Sequence, residues 1–127
     1  MAAIEATLLA LLRGGDHIVA SAFVFGNTNS LLNTLADLGT PVTFVDATLA
    51  ENVQRAITPA TRLVFVETIA NPRTQVADLA RIGALCRERG LLYVVDNTMT
   101  SPWLFRPIDV DASLVINALT KIGRAHV

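Results

Sequence analysis

The sequence predicts an α/β fold, a mostly parallel sheet with helices on both faces, and three observations carry that expectation. Short apolar runs alternate with helix-like segments along the chain. Runs such as LVFV (63–66) and LLYVV (91–95) are unbroken instead of alternating with polar residues, which is the pattern of strands covered on both faces. Glycine stands at three helix-to-strand junctions, LRGGDH, DLGTP and ERGLL, where a left-handed residue can end a helix before the chain turns into a strand. With 52% hydrophobic and 17% charged residues among 127, the composition suits one well-buried domain and excludes disorder.

Each element has its own signal. Residues 2–13 carry Ile4, Leu8, Leu9, Leu11 and Leu12 with alanine in most other places, which predicts a helix that is apolar nearly all round and stops at Gly14-Gly15. HIVASA (17–22) reads as a strand and NTNSLLNTLADL as a helix starting at Asn27 or Thr28. PVTFV (41–45) is the next strand, and LAENVQRAI (49–57) a helix closed by Thr58-Pro59. RLVFVE (62–67) is a strand. VADLARIGALCRERG (76–90) predicts an amphipathic helix with Val76, Leu79, Ile82 and Cys86 on one stripe. LLYVVD (91–96) and SLVIN (113–117) complete the strands, and no linker or repeat marks a second domain.

The formal net charge of −1 and the scattered Lys and Arg give no basic field for a nucleic acid or an anionic membrane, so a small-molecule partner is expected. Cys86 is the only cysteine, which excludes a disulfide framework and makes a reducing cytoplasm the expected setting. The opening MAAIEATLLALL lacks the charged start and cleavage site of a signal peptide and is too short to span a membrane. His17 and His126 have no partners at metal-ligand spacing, so no metal is expected.

Ligands of open parallel sheets bind beyond the carboxyl ends of the strands, so the residues just after each apolar run are the ones to inspect. They are Glu67, Thr68 and Asn71-Pro72; Asp96, Asn97 and Thr98; and Asn117, Thr120 and Lys121. No GxGxxG or GxxxxGK[ST] loop is present, which leaves dinucleotide and P-loop readings without a phosphate site. A lysine and a carboxylate on one rim suggest covalent carbonyl chemistry. The amine can form a Schiff base with an aldehyde cofactor, and the carboxylate can keep a pyridine nitrogen protonated. Singly, Asp96 is an ordinary turn residue, Lys121 a surface lysine and Phe25 a core residue; their joint order is what speaks for a site.

LLYVVDNTMTSPW followed by SLVINALTK resembles the pyridoxal-phosphate enzymes of cysteine and methionine metabolism, the group of cystathionine γ-synthase, cystathionine γ-lyase and homoserine sulfhydrylase. MAAIEATLLALLRGGDHIVAS, VFGNTNSLL and VFVETIANPRTQVADL extend the resemblance over residues 1–121. It implies part of a fold-type-I large domain, pyridoxal 5′-phosphate as cofactor and an amino-acid substrate undergoing γ-replacement or γ-elimination. It further implies Lys121 as the Schiff-base lysine, Asp96 at the pyridine nitrogen, Phe25 stacked on the ring in place of the usual Tyr, Asn71 near the phenolic oxygen and Thr98 against the ring. Thr120 would donate to the phosphate, which Met1 would receive at a helix start. Phe25 lacks the tyrosine hydroxyl, and Ala118 replaces the serine of the S-x-T-K pattern, removing one phosphate hydrogen bond.

The resemblance also implies a homo-oligomeric parent, dimer or tetramer, in which a neighbouring subunit supplies a Tyr and an Arg and a further domain grips the substrate carboxylate. Residues 1–121 are therefore expected to be a partial cofactor-binding domain. KIGRAHV departs from the family and reads like a translated sequencing adapter, so 122–127 are expected to be non-native; without the segments that supply the Tyr, the Arg and the carboxylate grip, this polypeptide is expected to be inactive and to bind the cofactor weakly. Two other readings stand beside this one. A signalling receiver domain has the right size, although HIVASAF offers no acidic pair for Mg²⁺. A noncatalytic remnant that associates with full-length relatives is the other.

Overall fold

In the computed structural model residues 1–121 are described, so the expected tail at 122–127 lies outside the described residues. Five strands, β1 (His17–Ser21), β2 (Val42–Val45), β3 (Thr61–Glu67), β4 (Leu92–Asp96) and β5 (Leu114–Ile116), form one sheet in the order β2-β1-β3-β4-β5. Every pairing is parallel. The helices are α1 (Ala2–Leu11), α2 (Gly26–Asp37), α3 (Ala50–Ala56) and α4 (Leu79–Arg89). The predicted fold class and all nine predicted elements are present.

The period of two along each strand sorts the core into two layers. Ile18 and Ala20, Leu63 and Phe65, Val94 and Ile116 pack with Ile4 and Leu8 of α1 and Leu32 and Leu35 of α2. The intervening Val19, Val64, Val66, Tyr93 and Val95 pack with Ala50 and Val53 of α3 and Leu79, Ile82 and Cys86 of α4. Burying each such large apolar side chain is worth roughly 1.5–3 kcal/mol, which is why these strands read as unbroken apolar runs.

From β1 the chain steps outward through α2 to β2, then returns past β1 through α3 to β3 and onward through α4 to β4. Opposite steps with helices on opposite faces satisfy right-handed crossovers. The reversal falls between β1 and β3, where a parallel sheet opens a crevice at its carboxyl edge. Gly39 and Gly90, at φ +97° and +65°, end α2 and α4 in the left-handed region as expected.

Two expectations need correction, and one connection was not foreseen. α1 is one-sided: Ile4 and Leu8 are buried, but Leu9 is 60% exposed, because its far face meets no other layer among the described residues. α4 begins at Leu79, so Val76 is not on its stripe; it bridges antiparallel to Ile69 and is 57% exposed. The backbone bonds Ala70 N–H to Gln75 O and Asp78 N–H to Ala47 O hold 70–78 in a loop that competes with the helix. Between β4 and β5 the crossover is carried by a 3-10 turn at Pro107–Val110, seated on α4 at Gly83, where a Cβ would lie 1.9 Å from the Val110 carbonyl oxygen. No helix among the described residues is long and apolar enough to cross a membrane.

Candidate active site

A cavity of about 220 Å³ opens at the carboxyl edge of the sheet, at the crevice that the topology creates. Each strand that reaches it contributes the residues just past its apolar run. Phe25 comes after β1, Glu67 ends β3 with Ile69 and Asn71 just beyond, Asp96 ends β4 with Thr98 and Met99 beyond, and Ala118 and Lys121 come after β5. Met1 and Ile4 at the start of α1, and Thr28 in the first turn of α2, close the remaining side. Six of the seven residues expected at the site, Lys121, Asp96, Phe25, Thr98, Asn71 and Met1, line this one cavity.

Local hydrogen bonds set the geometry. Thr98 donates its backbone N–H to Asp96 Oδ1 at 2.9 Å, and its hydroxyl accepts the Ala118 N–H at 2.9 Å. The β4 carboxylate is thereby tied to the β5 loop that ends in Lys121. Lys121 closes a 3-10 turn, Leu119–Lys121, by donating its N–H to Ala118 O at 2.9 Å. Asn97, fully buried between them, accepts from the Thr68 hydroxyl at 2.7 Å and from Thr100, and donates to Phe105 O at 3.0 Å. Asn97 is thus scaffolding that locks the ends of β3 and β4 to the 98–105 loop. A cis peptide joins Asn71 to Pro72.

Thr120 is not brought to the cavity. It is absent from the lining, whereas its neighbour Lys121, equally exposed, contributes to it; successive side chains in a 3-10 turn point about 120° apart. Glu67 and Thr28 are the reverse case, cavity residues for which the sequence suggested no role. Glu67 could have been found by parity: Leu63 and Phe65 face the α1–α2 layer, so Glu67 does too, as Asp96 does after Val94. Thr28 lies one turn beyond Phe25 on α2, but nothing in the sequence separates it from the helix's other polar residues.

Glu67 is buried and accepts the Phe25 N–H at 2.7 Å. Burial raises its carboxyl above the usual range, the backbone N–H of Phe25 pulls it down, the Asp96 charge raises it, and the Asn71 backbone pulls it down. Burial is the largest of these, so Glu67 holds its proton to higher pH than an exposed glutamate.

The lining therefore combines an amine, two carboxylates, an aromatic face, hydroxyls and the starts of two helices, where backbone N–H groups favour an anion. Apolar Ile4, Ile69 and Met99 complete the walls. That donor set matches a phosphorylated, aldehyde-bearing pyridine better than any metal, and no cluster of three or more His, Cys, Asp or Glu suited to a metal occurs among the described residues.

The sequence model of the Cys/Met metabolism PLP-dependent enzymes matches residues 1–126. The chain belongs to that family. L-methionine gamma-lyase of Pseudomonas putida is 36% identical over 127 residues, covering 99% of this chain and 32% of that protein. Cystathionine gamma-lyase of Bacillus subtilis is 35% identical over 127 residues, covering 99% of this chain and 33% of that protein. The solved structure of O-acetylhomoserine sulfhydrylase from Wolinella succinogenes superposes with a TM-score of 0.87 at 39% identity, over 92% of this chain and 33% of that one. The chain thus spans about a third of the relatives it matches. The fold is that of these pyridoxal-phosphate enzymes, and the receiver-domain reading is set aside by the same match.

Proposed function

We propose that the protein works as part of a pyridoxal-phosphate enzyme of sulfur amino acid metabolism, catalysing γ-replacement or γ-elimination on a homoserine ester, cystathionine or a methionine-type amino acid. The observation that carries this reading is the convergence of Lys121, Asp96 and Phe25 on one cavity. When bound, the cofactor supplies an electron sink for the carbanion formed at the substrate Cα.

Lys121 would hold the cofactor's aldehyde through its amine, and the same amine, when free, would be placed to carry a proton to or from the substrate Cα. Asp96, oriented by the Thr98 N–H, would be the partner of the cofactor's pyridine nitrogen. The Phe25 ring would supply a stacking face without a hydroxyl, and Asn71 and Thr98 would position the cofactor ring's edge and face. The helix start at Met1 would receive the phosphate; Thr120 does not line the cavity, and Ala118 offers one hydroxyl fewer. The lone, buried Cys86 supports a reducing, cytoplasmic setting. The family match favours a small-molecule amino-acid substrate, and the net charge of −1 offers no basic field for a nucleic-acid or membrane partner; we further infer a homo-oligomeric parent, dimer or tetramer.

Titrating the chain with pyridoxal 5′-phosphate tests this. A saturable visible band of lysine-bound cofactor that disappears in Lys121→Ala is expected. A band unchanged in that variant, or no saturable band, contradicts the assignment.

A further inference from the structure

Glu67 is a buried carboxyl on the cavity wall with no part in the chemistry above. It stands directly beside Asp96 in the parallel register of β3 and β4, so both side chains leave the sheet on the same face. Its Oε1 accepts the backbone N–H of Phe25 at 2.7 Å. Phe25 is the N-cap residue of α2, and no side chain caps that helix start. The orientation of the Phe25 ring therefore depends on a backbone that β3 grips from below. We propose that Glu67 is a positioning residue: its carboxyl fixes the start of α2 through the Phe25 amide and so sets the aromatic wall of the cavity that Asp96 and Lys121 also line.

The geometry explains why a carboxyl is suited to the place. An amide needs an acceptor here, and Glu67 supplies one whether ionised or neutral, while the Asn71 backbone also meets the carboxyl. A fixed second charge beside Asp96 would be costly in a buried setting. Aspartate would be too short by one methylene to reach across from the strand to the helix start, and leucine would leave the Phe25 N–H without a partner. The charged groups lining the same cavity from the other elements are Asp96 on β4, Lys121 after β5 and Met1 at α1; α2 and the 69–71 loop present none. That the ring serves as a cofactor platform rests on the function proposed above, whereas the bond that sets the ring does not.

The test needs no cofactor. In the isotopically labelled chain, the Phe25 amide proton is followed by NMR against pH, together with its exchange rate with solvent. Glu67 ionisation should move the Phe25 amide resonance, with a midpoint above that of an ordinary glutamate. Glu67→Gln should abolish this titration yet keep the amide protected, because the side-chain carbonyl still accepts the bond. Glu67→Ala should lose protection by about tenfold or more. A Phe25 amide that does not titrate in the unsubstituted chain, or that titrates unchanged in Glu67→Gln, overturns the proposal, as does equal protection in Glu67→Ala. If Glu67→Ala fails to fold, the unsubstituted chain and Glu67→Gln decide it. Failure to take up pyridoxal phosphate would count against the function proposed above and leave these amide results standing.

Discussion

Gly83→Ala sets two known effects against each other. In the middle of a helix, alanine is favoured over glycine by about 1 kcal/mol. Here the new Cβ would lie 1.9 Å from the Val110 carbonyl oxygen, 2.9 Å from the Val110 carbonyl carbon and 3.3 Å from Tyr93 Cε1. The first two are backbone atoms, so no rotamer change relieves them, and α4 must part from the Pro107–Val110 turn by roughly 1–1.5 Å to reach ordinary contact. Overpacking of this kind costs about 1–3 kcal/mol, and a backbone obstacle places it at the upper end. The net is a loss of about 2 kcal/mol. With a urea dependence near 1–3 kcal/mol per molar, the unfolding midpoint should fall by about 1 M. The turn leads directly into β5, through Ala112 N–H to Pro107 O at 3.1 Å and Ser113 N–H to Tyr93 O at 2.8 Å, so displacement is passed toward Lys121. A midpoint that is unchanged or raised would show the propensity gain unopposed and would refute the seating of α4 on this turn.

Two further outcomes arise from buried titratable groups. His17, at the amino end of β1, lies 2.7 Å from the Thr61 hydroxyl and 2.9 Å from that of Thr43, joining three strands; burial lowers its pKa from 6.5. The folded chain then binds fewer protons than the unfolded one, so this contribution to stability is complete above about pH 6.5 and is lost as pH falls through the lowered folded value. The urea midpoint should drop between about pH 7 and about pH 5, and less so in His17→Gln; an equal drop in both removes His17 from the explanation. Cys86 is buried, and burial pushes its thiol up to about 12, so a thiol reagent should label it only as the chain unfolds. Rapid stoichiometric labelling of the native protein contradicts that core position.

The parallel sheet was legible because its strands are buried on both sides, so the apolar runs at 63–66 and 92–95 needed no alternation to be recognised. That Asp96 and Lys121 would meet at one cavity was legible because the cavities of such a sheet lie directly after its strands. What sequence could not show was set by tertiary contact. Val76 fits a helical stripe, yet its pairing with Ile69 takes it out of α4. Gly83 looks like any weak helix position until the 3-10 turn is seated against it. Thr120 and Lys121 are neighbours, and only the pitch of the turn decides which one lines the cavity. Glu67 carried the same signal as Asp96, a carboxylate two residues beyond an inward-facing apolar side chain, but its partner is a backbone amide 42 residues away that no motif announces.

The central claim is that the amine of Lys121 and the carboxylate of Asp96 serve one bound ring. Lys121 is the chain's only lysine, so borohydride reduction after incubation with pyridoxal 5′-phosphate, with peptide mapping of the product, reads the claim directly. Saturable phosphopyridoxyl label on Lys121, reduced about tenfold or more in Asp96→Ala, is the predicted result. Label confined to the amino terminus, or label on Lys121 that ignores Asp96, would contradict it.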